Sequence, residues 1–308
     1  MRIVSLLPGT TEIVCALGLE SQLVGRSHEC DFPASVRALP ACTEPKYQAE
    51  GTSRQVDQRI TTLIREGLSI YRVDASLLAS LEPDIILTQD HCEVCAASYA
   101  EVRQAVQEQL SSSVEILSVS PTDLDEVFLA INQIGEALGV PEKGTALIKS
   151  MITRFNEIQS RTGQLPSPEV VSIEWIDPLM ASGNWFPELV RIAGGTSLLG
   201  TAGEPSPWID WSQLEEQDPD ILLVSPCGYS LNKTAGEMIT LTSHPGWSRL
   251  KAVQQNRVFL AEGHHYFHRP GPRLTDSAEI LAEIFHPGIF DPGHHKSGWI
   301  KFTAKAGK

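Results

Sequence analysis

Apolar residues recur along this chain in two alternating periods. Short runs at 3–7, 23–25, 85–87 and 116–119 read as buried strands, and 10–17 and 75–80 between them carry helical spacing. The pattern then becomes helical only. Residues 122–138 place Leu124, Val127, Phe128, Ile131, Ile134 and Leu138 on one face. Residues 141–162 repeat this with Leu147, Ile148, Met151, Ile152, Phe155 and Ile158. Pro141 suits the first helical turn and Gly163 closes the element.

Strand-like runs resume after 166, and they repeat the first plan. "TEIVCALGLESQLVGRSHE" (11–29) lines up with "PELVRIAGGTSLLGTAGE" (187–204), and "LASLEPDIILTQDHC" (78–92) with "LEEQDPDILLVSPC" (214–227). The first copy is longer by about 40 residues, which fall around 42–74. Alternation of this kind predicts an α/β fold: two Rossmann-like lobes with parallel sheets, joined by one long α-helix. The expected division is 1–120 for the first lobe, with its insertion, and 121–165 for a helical segment including the 141–162 linker. The second lobe is 166–287 and the tail 288–308, of which Trp299 and Ile300 are expected to dock.

The formal net charge of −14 argues against nucleic-acid and anionic-membrane partners. No stretch reaches the roughly 20 apolar residues of a membrane span. Six cysteines are too few for a disulfide scaffold and read as thiols. As written, the chain starts with no secretory leader, so a cytoplasmic location is expected, or a periplasmic one if a leader was removed.

Ligands of open α/β sheets sit beyond the carboxyl ends of the strands, so the residues that follow each run are the candidates. In lobe one these are Pro8, Thr10, His28, Cys30, Gln89, Asp90 and His91. In lobe two they are Trp175, Asn184, Trp185, Phe186, Trp208, Cys227, His264, His265, Tyr266 and Arg269. Four of the six Trp lie between 175 and 211. A cleft aromatic on one side and polar on the other suits a large flat ligand with polar edges.

Several of these residues have plainer readings. Thr10 or Thr11, with Glu12 nearby, reads first as helix capping. Asn184-Trp185 is either a cap or a ligand platform. In "TQDHCEVCAAS" (88–98), Cys92 and Cys95 could be a metal pair, a redox dithiol or packed thiols at a pocket wall. His264-His265-x-x-His268 offers an imidazole ligand to a metal, with at most one of the consecutive pair expected to face the ligand. The insertion helix with Asp57, Arg59, Arg65 and Glu66 reads as a solvated face, or as a lid or partner surface.

"RIVSLLPGTTEIVCALG" (2–18), "LEPDIILTQ" (81–89), "ASGNWFPELVRIAGG" (181–195), "DPDILLVSP" (218–226) and "NRVFLAEGHHYFHRPGPRLTDSAEILAEIFHP" (256–287) occur in that order. Together they resemble the substrate-binding proteins of cobalamin and iron-siderophore importers, the class III periplasmic-binding-protein-like group. The resemblance covers the chain to about residue 287. It implies a non-enzymatic protein that holds a small-molecule macrocycle between the lobes, with cobalamin or another corrinoid favoured because that group lines its cleft with aromatic residues. It also implies an ABC permease as partner, which the chain would meet only with a leader; otherwise a cytoplasmic carrier, sensor or salvage protein is expected. The alternatives are a zinc- or haem-handling protein using His28, Cys30, His91, Cys92 and Cys95, and an enzyme acting on a bound cofactor through its thiols. No Walker loop, Gly-x-Gly-x-x-Gly turn or nucleophile–base pairing stands against the binding reading.

Overall fold

The computed structural model describes residues 1–66, 68–89, 102–104, 106, 114–291 and 293–303. Its first lobe is built on β1 (Ile3–Ser5), β2 (Leu23–Arg26), β5 (Ile85–Thr88) and β6 (Glu115–Ser118), a parallel sheet in the order β2-β1-β5-β6. Helices α1 (Pro8–Ala16) and α3 (Ala75–Ser80) belong to this lobe. The second lobe repeats the order with β9 (Thr196–Ser197), β7 (Glu169–Trp175), β10 (Ile221–Val224) and β11 (Val258–Ala261), again parallel.

The matched Pro-Asp-Ile motifs do the same work in both lobes. Asp84 Oδ2 accepts from Arg2 N at 2.6 Å, and Asp220 Oδ2 accepts from Glu169 N at 3.0 Å. Each carboxylate thus ties the entry to the third strand to the start of the first, fixing the register of that pair. The duplicated sequence folds into a duplicated topology.

The second sheet is not purely parallel. β8 (Met180–Ala181) and β12 (Trp299–Lys301) add antiparallel edges. The step from β7 to β8 is too short for a crossover, which leaves only antiparallel pairing. The tail docks through β12, and Trp299 Nε1 donates to Glu283 Oε2 at 2.6 Å. Helices α6 (Phe186–Ile192), α7 (Trp211–Gln217), α8 (Leu231–Thr242), α9 (Lys251–Gln254) and α10 (Leu274–Phe285) complete this lobe.

Between the lobes run α4 (Leu124–Ala137) and α5 (Pro141–Thr162). The 22 residues of α5 span roughly 33 Å. This helix is buttressed along its length. Met151, Phe155 and Ile158 share one apolar cluster with Ile3 and Val14 of lobe one and Leu189 and Phe285 of lobe two. Arg154 Nη2 also pairs with Asp276 and Glu279 at 2.7 Å. Among the described residues no helix is long and apolar enough to cross a membrane.

The insertion forms a small unit of its own: β3 (Thr43–Pro45) pairs antiparallel with β4 (Tyr71–Val73), and α2 (Ser53–Arg65) lies between them. Thr52 starts α2 with a capping box, its hydroxyl accepting from Gln55 N and its own N–H donating to Gln55 Oε1.

The lobes also meet away from α5. A Cβ at Gly9 would lie 2.4 Å from Pro270 O, so only glycine allows this approach of α1 to the 264–273 loop. Gly9→Ala should therefore destabilise the protein by about 1 kcal/mol or more, overriding the better helix propensity of alanine. A variant that melts above the wild type would contradict that close approach.

Candidate functional site

The carboxyl ends of the two sheets face one another, as side chains that follow strands in opposite lobes make direct contact. Glu12 follows β1 and Asp31 follows β2; His264 to Arg273 follow β11. Arg269 Nη1 lies 2.7 Å from Asp31 Oδ1 and 3.3 Å from Glu12 Oε1. Arg273 donates from Nε to Glu12 Oε2 at 2.9 Å and from Nη2 to Oε1 at 2.5 Å. Asp31 Oδ2 takes His264 Nε2 at 2.8 Å and His265 Nε2 at 3.3 Å. Arg269 and Glu12 are both buried. Burial alone would raise the Asp31 carboxyl; the hydrogen bonds from His264, His265 and Arg269 outweigh it and hold it well below the usual carboxylate range. Against its own desolvation, Arg269 is held charged by Asp31 and Glu12.

Glu12 is therefore not a helix-capping partner. The N-cap of α1 is Leu7, with no side-chain cap, and Thr10 Oγ1 is taken by Leu7 O and Ser5 Oγ. Nor do the consecutive histidines diverge. The 262–268 stretch is a chain of turns rather than a strand, so side chains do not alternate, and both imidazoles reach Asp31 with ring centroids 4.6 Å apart.

A second set of ties crosses the cleft from the insertion. Arg54 grips Asp177 through Nε at 2.7 Å and Nη2 at 2.8 Å. Ser53 N donates to Glu237 Oε2 at 2.9 Å, and Lys233 Nζ donates to Ala49 O at 3.1 Å. Glu237 Oε1 accepts from Tyr229 OH, and Lys233 sits 3.8 Å over the Tyr229 ring. Burial, reinforced by Glu237, pushes the Tyr229 phenol up. Burial pulls the Lys233 amine down. The insertion is thus a strap from lobe one onto lobe two. Arg54 is largely exposed, so Arg54→Ala should cost no more than about 1 kcal/mol of stability. It should nonetheless raise hydrogen exchange at 49–56 and 231–237; unchanged exchange there would show that the strap holds without this pair.

The remaining candidates divide by accessibility. Trp175 ends β7, half-buried, with its ring edge-on to Tyr229 at 5.3 Å. Trp208 is 57% exposed, which leaves a large apolar ring for another molecule to cover. Cys227 and Tyr266 are half-buried. His28 is partly exposed, with Nδ1 on Thr43 Oγ1 at 2.8 Å and Nε2 3.4 Å from Glu29 Oε1. Its ring begins a chain through Tyr71 at 5.1 Å to Tyr47 at 6.4 Å. Asn184 holds φ at 50°, in the left-handed region. Pro8, Thr10, Cys30, Gln89, Trp185 and Phe186 are buried. Trp185 Nε1 donates to Phe267 O at 2.6 Å and Phe186 packs on Phe267, so both rings are held by the protein's own core. Asp90, His91, Cys92 and Cys95 lie outside the described residues.

Three enclosed polar atoms at the carboxyl edge of the second sheet have no hydrogen-bond partner among the described residues: Trp175 Nε1, Asn184 Oδ1 and Ser225 Oγ. A separate cavity of about 510 Å³ lies within the strap, between Lys46-Tyr47-Gln48 and the face of α2 carrying Gln55, Arg59 and Leu63. Glu12, Asp31, Arg54, Asp177, Tyr229, Glu237 and Glu262 are not among the site residues that the sequence singles out. Asp31 and Tyr229 were findable, since both follow strand-like runs.

Of the four described thiols, three are poor nucleophiles. Burial pushes Cys30 and Cys42 up to about 11 and Cys15 up to about 12. Cys30 Sγ is also enclosed beside Thr11 Oγ1 at 3.0 Å. Of these four cysteines, iodoacetamide at neutral pH should modify Cys227 first; rapid labelling of Cys30 in native protein would contradict this packing.

The periplasmic binding protein family model matches residues 3–263. A similar sequence is the ABC transporter substrate-binding lipoprotein YvrC of Bacillus subtilis (strain 168), 24% identical, covering 94% of this chain and 81% of that protein. The vitamin B12-binding protein of Photorhabdus laumondii is 21% identical, covering 92% and 87%. Among solved structures, a periplasmic heme binding protein from Pseudomonas aeruginosa matches with a TM-score of 0.69 at 21% identity, covering 93% of each chain. With this family match spanning most of its length and the two-lobed α/β architecture it folds into, the chain belongs to the periplasmic binding protein family.

Proposed function

We propose that this protein binds a corrinoid, cobalamin or a close relative, in the cleft between its lobes, as a carrier rather than an enzyme. The observation that carries the reading is the carboxyl edge of the second sheet. There an exposed indole, Trp208, and a half-buried one, Trp175, accompany the partnerless Trp175 Nε1, Asn184 Oδ1 and Ser225 Oγ. Enclosed polar groups without partners each cost about 1–3 kcal/mol, which a ligand's polar edge recovers on binding. A corrinoid supplies that combination, a broad apolar face ringed by amides. His28 would meet it from lobe one, with Cys227 and Tyr266 beside the aromatic wall. His264 and Arg269 are engaged with Asp31 and would serve to set the distance between the lobes. The B12-binding relative supports the ligand class.

Haem is the second reading. The His28–Tyr71–Tyr47 series favours it, since imidazole and phenolate are both iron ligands, as does the likeness to a haem-binding structure. Tryptophan fluorescence separates the two. Titration with cobinamide, aquo-cobalamin and haemin should give saturable quenching at one equivalent for a corrinoid and weaker quenching for haemin. Saturation by haemin alone would replace the first reading with the second, and no quenching by any of the three would overturn both.

A further inference from the structure

We infer that Asp31, His264 and His265 form a site for a divalent transition metal of the zinc class, shared between the two lobes. Each of the three offers one ligand atom, a carboxylate oxygen or a ring nitrogen, and these lie within 4.8 Å of one another. The two nitrogens are 2.8 and 3.3 Å from the carboxylate oxygen. Ligand atoms around a tetrahedral ion with bonds of about 2.0–2.1 Å stand roughly 3.3 Å apart, so the set needs only a small expansion.

The surroundings are built for it. Arg269 takes Asp31 Oδ1 at 2.7 Å and thereby turns Oδ2 toward the imidazoles. Behind them stands Glu262, itself buried. Its Oε1 is 3.6 Å from His265 Nδ1 and accepts from His264 N at 3.3 Å, while its Oε2 accepts from Leu231 N at 2.9 Å. A small rotation of the His265 ring would bring Nδ1 within hydrogen-bond distance of this carboxylate, the usual outer-shell support of a metal-bound histidine. The three ligating side chains are 14–36% exposed, so an ion can enter and the fourth position opens to water.

Charge around the site does not forbid a cation. Arg269 Nη2 lies 3.4 Å from His264 Nε2, and Arg37 Nη2 lies 3.4 Å from Asp31 Oδ2. Against them stand Glu12, Glu29, Asp31 and Glu262. Arg37 is mostly exposed and free to move into solvent, and Arg273 is occupied by Glu12. An ion held here links a loop of lobe one to a loop of lobe two, so occupancy and lobe spacing become linked. This site is separate from the aromatic wall and does not depend on what binds there.

The test uses the full chain, stripped with chelator and dialysed against Co2+ alone. Wild type should take up one Co2+ with the visible absorption of a tetrahedral N/O site and no sulfur charge-transfer band. His265→Gln should lose stoichiometric uptake, and Glu262→Gln should bind about tenfold more weakly. Melting temperature should rise with Zn2+ in wild type and not in His265→Gln. A circular dichroism spectrum and unliganded melting temperature like those of wild type would show that His265→Gln still folds. The inference is overturned if wild type takes up no Co2+, or if His265→Gln binds it as wild type does. It is equally overturned if a sulfur band appears and uptake is abolished only by Cys92→Ser with Cys95→Ser. Because the probe is the metal alone, failure here leaves the corrinoid reading standing.

Discussion

Replacing Arg269 with Met should remove about 3 kcal/mol of stability, read as a lower urea midpoint at pH 7. The loss comes from what the substitution strands rather than from the pair's own attraction. Asp31, partly buried, would lose the cation at 2.7 Å, and Glu12, fully enclosed, one of its two guanidinium partners. Arg273 still holds Glu12, which keeps the expected loss at the lower end for a buried network. The double variant Arg269→Met with Asp31→Asn should recover part of it, since the stranded charge is then gone. A loss below about 1 kcal/mol would mean that the network behaves as a surface pair. The same junction predicts the acid response. Asp31 has a folded value depressed below its unfolded value near 3.9, so its contribution is fully present above that pH. It disappears as pH falls further toward the folded value. Wild type should therefore lose more stability than Arg269→Met on acidification below pH 4.

Trp175→Ala should weaken corrinoid binding about 30-fold, an effect near 2 kcal/mol, as expected for an aromatic anchor at the centre of an interface. The indole is half-buried, lies edge-on to Tyr229 and carries the enclosed N–H without a protein partner, so its removal takes away both ring contact and hydrogen bond. Isothermal titration with cobinamide reads the change. Affinity within twofold of wild type would place the ligand elsewhere, the cavity beside Tyr47 and Arg59 being the next place to probe.

Much of the fold was legible because it is written twice. The repeated Pro-Asp-Ile stretches mark equivalent strands, and the structure gives Asp84 and Asp220 the same backbone partner at the start of each lobe. The long helix was legible from its stripe and its proline. The antiparallel edges were not, since two residues at Met180–Ala181 and a polar tail carry too little pattern to declare a strand.

The site was legible in outline only. Loops after strands could be listed, but not which side chains turn inward. Trp185 reads as a cap neighbour or a platform because a Trp beside a turn is costly to leave exposed; it is held by Phe267 O, a partner 82 residues away. Arg54 and Asp177 are 123 residues apart, and only their pairing makes the insertion a strap. Asp31 and Arg269, 238 residues apart, hid the junction between the lobes in the same way. Long-range charge pairing leaves no periodicity for a sequence to display.

A corrinoid held in the cleft should travel with the protein on a sizing column. Metal-free, reduced protein mixed with one equivalent of aquo-cobalamin or cobinamide and passed over a gel-filtration column should carry the corrin absorbance in the protein peak at one per chain. Trp175→Ala should carry much less. Corrin absorbance confined to the small-molecule volume for both ligands, with haemin retained in its place, would contradict the account.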